Sequence, residues 1–143
     1  MLDSAEVNRR LTHHLSGLHK ASAKRRADTD EARRVFDDVL EREVAPTIRQ
    51  LAQALKARGF GFSVQTPAGA VRLVSDRSSD DFVGVELDVT RRPPAAIAQR
   101  QYTRGRRLLA DERLLREGDG IASLDAELTL DVLLELLEPF VEK

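Results

Sequence analysis

The chain has no cysteine among its 143 residues. That excludes disulfide staples, thiolate zinc sites and a cysteine nucleophile. No segment approaches the ~20 apolar residues of a membrane span, and the opening stretch MLDSAEVNRR has no apolar signal core. A cytoplasmic protein without membrane contact is the expectation. An excess of one charge is missing too. The 23 basic and 24 acidic side chains leave a net charge of −1, so no global field draws the protein to nucleic acid or an anionic surface.

Metal and catalytic patterns are equally sparse. The only histidines, His13, His14 and His19, fall on the first expected helix at directions of about 20°, 120° and 260°, with no i, i+3 or i, i+4 pair to grip a metal. Carboxylates adjoin at Asp37-Asp38, Asp80-Asp81 and Asp111-Glu112. Adjacent side chains on a helix or strand diverge, whereas general acid–base work needs two that converge on one cleft. No serine lies in a G-x-S-x-G turn. Gly59-Phe60-Gly61 precedes an apolar alternation, whereas a dinucleotide fingerprint follows a strand and opens a helix. No cofactor and no metal site is therefore expected. An enzyme with a site assembled from scattered residues ranks third among the readings of function.

What is present is a globular composition, 41% hydrophobic and 33% charged, in a chain long enough to bury roughly two-thirds of its unfolded surface as a single domain, 1–143. Two stretches carry the capping-box spacing of a helix start, Asp3-Ser-Ala-Glu6 and Asp28-Thr-Asp-Glu31. After the first, Val7, Leu11, Leu15 and Leu18 form one narrow stripe. After the second, Phe36, Leu40, Val44, Ile48, Leu51 and Leu55 recur mostly in steps of four. Such steps drift about 40° each on a helix of 3.6 residues per turn, so this stripe winds around its helix. Pro46 sits inside it and predicts either a kinked helix or two helices meeting near residue 45. The helical region thus covers 1–58.

Arg58-Gly-Phe-Gly-Phe62 matches the first five positions of the octamer with which RNA-recognition domains stack bases. The match fails where that octamer wants an aliphatic residue and finds Ser63, and where it wants an aromatic and finds Gln65. Only helix stands upstream, where the partner strand should be. The segment reads instead as a helix ending at a left-handed Gly59, with Phe60 folding back onto it and Phe60, Phe62 and Val64 opening a strand. Pro67-Ala-Gly69 turns the chain, Ala70–Ser75 returns as a hairpin, and Phe82–Thr90 alternates with Val83, Val85, Leu87 and Val89 on one face. Arg91-Arg-Pro-Pro94 stops that strand. Ile97–Leu109 is expected as a fourth strand, with a helix as its alternative. Thr129 is expected to cap a closing helix over 129–142.

The fold class implied is α+β: a long, bent N-terminal helical region and a C-terminal helix on one face of a mainly antiparallel sheet of about four strands, 59–109.

Two features suggest partners. From Arg91 to Arg107 there are six arginines and no acid, whereas the stretch from Asp111 onward holds ten acids against three basic residues. Arg100, Arg104, Arg106 and Arg107 around Tyr102 are candidates for binding nucleic acid or another anion. The competing reading pairs them with Glu86 and Asp88 on a neighbouring strand. On the closing helix, apolar residues fill an arc of roughly 200°, wider than the stripe a helix needs to lie on one sheet. The surplus predicts a homodimer with Leu133, Leu136 and Phe140 near its centre. The favoured function is a non-catalytic, self-associating interaction or assembly protein. A nucleic-acid-binding module is second.

Overall fold

The computed structural model describes residues 1–142. Helix α1 (Ser4–Val39) passes through a single π-helical turn (Leu40–Val44) into α2 (Ala45–Ala57). Five strands follow: β1 (Phe62–Gln65), β2 (Ala70–Ser75), β3 (Phe82–Asp88), β4 (Ala95–Arg104) and β5 (Arg107–Glu117). A 3-10 turn (Gly118–Ser123), helix α3 (Ala126–Leu136) and one closing turn, α4 (Glu138–Val141), complete the chain. The class is α+β, and the sheet is an antiparallel meander in the order β1-β2-β3-β4-β5.

The first capping box is real: the Asp3 carboxylate accepts from the Glu6 amide at 2.8 Å. The second is not a start, because α1 runs straight through Asp28. A cap marks a beginning only where the residues before it cannot carry a helix, and Ala21–Ala27 (ASAKRRA) are good helix formers.

Pro46 is accommodated without a break. Its ring would clash with the carbonyl of Arg42 in regular α geometry, and the wider π turn, closed by the Ala45 amide on the Leu40 carbonyl, lies where that clash would fall. The same insertion straightens the winding stripe. Val39 and Val44 are both buried five residues apart, one π turn, and Ile48, Leu51 and Leu55 then continue on the same side. At the other end the Gly59 amide donates to the Lys56 carbonyl at 3.0 Å and the Phe60 amide to that of Leu55 at 2.9 Å. With Gly59 at φ +89°, this is a Schellman stop, as the sequence predicts.

Among the described residues the strands number five rather than about four. Ile97–Leu109 is not one strand: Gly105, at φ +66°, turns the chain in a two-residue hairpin, and β5 runs back along β4 as far as Glu117. The helices lie on one sheet face, α2 over β1 and β2, α3 over β3, β4 and β5. Val71, Leu73, Val83, Val85, Ala98 and Leu115 meet Phe36, Ile48, Leu51, Leu133 and Leu136 there in one core. On the opposite face the Arg72 guanidinium sits 4.5 Å above the Phe82 ring, a cation–π contact. Gly84 opens the way: a Cβ there would come within 2.8 Å of the Val71 carbonyl and 3.0 Å of Arg72 Cγ.

Helix α3 begins three residues before the expected cap. The Asp125 carboxylate accepts from the Leu128 amide at 2.9 Å. Thr129 is wholly buried inside the helix, its hydroxyl on the Asp125 carbonyl.

Candidate functional site

The arginine cluster divides in two. Arg100, on β4, faces Asp111 across the β4–β5 ladder. Its Nε donates to Asp111 Oδ2 at 2.8 Å, Nη2 reaches the same oxygen, and Nη1 donates to the Leu136 carbonyl at 3.2 Å. The expected partners, Glu86 and Asp88, lie elsewhere: β3 sets Ile97 and Ala95 opposite them. Tyr102 is packed within the chain, under the Arg100 guanidinium at 5.1 Å and edge-on to Phe140 at 5.9 Å. Phe140 in turn meets Phe62 edge-on at 6.0 Å. Arg104, Arg106 and Arg107 crowd the β4–β5 hairpin tip, all exposed. Among the described residues none of the three has a carboxylate within ion-pair distance, the sheet's pairs being Arg91 with Asp88 and Glu112, Arg100 with Asp111, and Arg113 with Glu135.

The carboxylate pairs serve structure separately. Asp38 pairs with Arg42, Asp81 accepts from the Thr103 amide at 3.0 Å, and Asp111 and Glu112 answer two different arginines. Asp88 accepts from the hydroxyl and amide of Thr90 and from Arg91, contacts that hold its carboxyl below the usual range, the Thr90 hydroxyl foremost. Burial pushes the Glu86 carboxyl up, with Arg72 opposing. Among the described residues no three His, Asp or Glu side chains gather as a metal site.

A cleft of about 670 Å³ opens where α1 leaves the body, between Lys24, Arg25, Asp28 and Ala32 of α1, Arg91–Pro94 of the β3–β4 connection, and Gly118 and Asp119. Its rim mixes both charges, Lys24, Arg25 and Arg92 with Asp28, Glu31 and Asp119, and Arg91 is held there by Asp88 and Glu112.

The apolar arc of α3 is used mainly inside the chain. Leu133 and Leu136, expected at the centre of a subunit contact, are both 0% exposed in the core, and Phe140 is half-buried against Phe62 and Tyr102. What α3 leaves open is Leu130 and Leu134, at 37% and 50% exposure, with the exposed acids Glu127, Asp131, Glu135 and Glu138 beside them.

The larger open apolar surface is one that the sequence gives no sign is uncovered. Between Ser4 and Asp28, α1 stands clear of the body with nearly every residue exposed, an arm of about 37 Å at 1.5 Å per residue. Its stripe is bare: Val7 is 49% exposed, Leu11 50%, Leu15 43% and Leu18 51%. His13, His14 and His19 are exposed on the same arm.

No protein-family model, curated protein or solved structure matches this chain.

Proposed function

We propose that the protein is a non-catalytic, self-associating interaction module and that the helical arm is its contact element. The observation that carries this reading is the bare stripe of Val7, Leu11, Leu15 and Leu18. Four half-exposed aliphatic side chains in a row form a patch that soluble proteins cover with a partner. Completing their burial is worth roughly 1 kcal/mol each, half the value for a fully exposed side chain. For two copies the gross gain of about 8 kcal/mol is comparable with the ~4–15 kcal/mol cost of association. Assembly is therefore concentration-dependent rather than obligate. Light scattering across a range of micromolar concentrations tests it. The native chain exceeds monomer mass, and a variant with serine at Val7, Leu11, Leu15 and Leu18 stays monomeric with its body folded. A native chain that is monomeric throughout, or a variant as large as the native chain, overturns the reading.

A second reading rests on the three arginines without acidic partners at the hairpin tip. Arg104, Arg106 and Arg107 could grip a nucleic-acid backbone. Binding that weakens steeply with rising salt and disappears in the triple glutamine variant supports it; equal weak binding by native and variant chains removes it.

A further inference from the structure

Among the described residues the bare stripe is one of two exposed apolar helix faces, and the two carry opposite charge. Residues 1–27 hold six basic side chains, Arg9, Arg10, Lys20, Lys24, Arg25 and Arg26, against Asp3 and Glu6. At 100° per residue, Arg10 lies along one side of the Val7–Leu18 stripe, and Lys20, Lys24, Arg25 and Arg26 follow it toward the root of the arm. Arg9 and Arg10 share Glu6 as their ion-pair partner; no carboxylate pairs with Lys20, Lys24, Arg25 or Arg26 among the described residues. On α3, the exposed leucines Leu130 and Leu134 sit beside Glu127, Asp131, Glu135 and Glu138. Of these four acids only Glu135 is in an ion pair, with Arg113.

The two faces share a leucine spacing. Leu11 and Leu15 are one turn apart, as are Leu130 and Leu134. From Val7 to Leu18 the stripe runs about 16 Å, and the eleven residues of α3 span about the same. The arm cannot be covering its own chain's α3, because both faces are bare in the same molecule. Among the ways two copies could cover these faces, arm against arm brings together two helices of equal positive charge. One α3 against another brings together two rows of carboxylates. Only arm against α3 joins unlike charges while covering both sets of leucines.

We infer that the arm docks, through Val7, Leu11, Leu15 and Leu18, on the Leu130–Leu134 face of α3 in a second copy of this chain. The inference rests on the proposed self-association and specifies its surfaces. A twofold arrangement makes the contact reciprocal, doubling the area of a single three-turn helix crossing and closing the assembly.

Complementation tests it. Leu130→Ser with Leu134→Ser gives an α3 variant whose changes are on the surface, checked as folded by circular dichroism and denaturation. The arm variant carries serine at the four stripe positions. Each alone is expected to be monomeric by light scattering. Mixed at equal concentration they are expected to form a heterodimer, because the intact arm of one fits the intact α3 of the other. A charge variant, Asp131→Lys with Glu138→Lys, is expected to raise the native dissociation constant at least tenfold. Raising salt is expected to weaken the native assembly and not that variant's. If the native chain assembles and the arm variant does not, while the α3 variant assembles normally, the arm has another docking surface and this inference is overturned although self-association stands. Failure of the mixture to associate overturns it equally. A monomeric native chain overturns both.

Discussion

Arg100 on β4 and Asp111 on β5 face each other across one rung of the sheet, the guanidinium bridging Asp111 Oδ2 and the Leu136 carbonyl at the end of α3. One side chain thus ties the outermost hairpin to the helix packed over it. Arg100→Gln leaves a half-buried carboxylate and a helix-end carbonyl without their donor, and is expected to cost about 1–2 kcal/mol, between the values of exposed and buried pairs. Arg104→Gln and Arg106→Gln, at the free hairpin tip, are expected to change stability by less than about 0.5 kcal/mol. Urea denaturation of the three variants measures the contrast.

Gly59 holds a positive φ where the helix stops, and alanine there resists that conformation. No atom lies within 4 Å of the position a Cβ would take, so strain alone sets the penalty. Gly59→Ala is expected to lose about 1 kcal/mol in chemical denaturation, and a neutral or stabilising result would contradict the helix-stop geometry.

On α3, neighbouring leucines separate core from surface. Leu133→Ala is expected to cost about 2–5 kcal/mol, because it opens a cavity in a fully buried site. Leu134→Ala, measured where the protein is monomeric, is expected to stay within about 0.5 kcal/mol. Thermal unfolding of both distinguishes the two faces.

Burial raises the folded pKa of Glu86, so ionising it opposes folding. That penalty is absent below the ordinary pKa of 4.5, grows as pH rises through the folded pKa, and is complete above it. Glu86→Gln is expected to raise the midpoint of thermal unfolding at neutral pH and to lose this advantage as pH falls toward 4. Asp88 acts in the opposite sense, its lowered pKa contributing stability that is present above the ordinary carboxylate range and lost as pH falls through its folded value. Asp88→Asn is therefore expected to be destabilising at neutral pH and to converge on the native curve in acid.

Much of this architecture is legible in the sequence where one physical signal stands alone. Gly59 between a helical stripe and a strand alternation has one reading, and β3 alternates plainly because one of its faces packs under helices. β5 hides because it is an edge strand exposed along much of its length, so selection for an apolar face is weak. Its Leu108-Leu109 and Leu114-Leu115 pairs imitate helical spacing. The glycine-first turn at Gly105-Arg106 was the available signal. Arg100 could not be assigned its partner without β5, since Asp111 lies on the missing strand. The apolar arc of α3 is wide because α2, the sheet and Phe62 surround it, which sequence alone does not separate from a subunit contact. The stripe on the arm is the converse: Val7, Leu11, Leu15 and Leu18 carry the same pattern whether they face their own core or a stranger.

The extra residue held in the Leu40–Val44 turn has a reach far beyond Pro46. In an α-helix each residue added or removed re-phases everything before it by 100°, and α2 is fixed to the sheet by Ile48, Leu51 and Leu55. The compass bearing of Val7 and Leu18 is therefore written more than twenty residues away. If the helix closed up into regular turns there, the arm would keep its length and swing its apolar side toward a different quarter of the horizon.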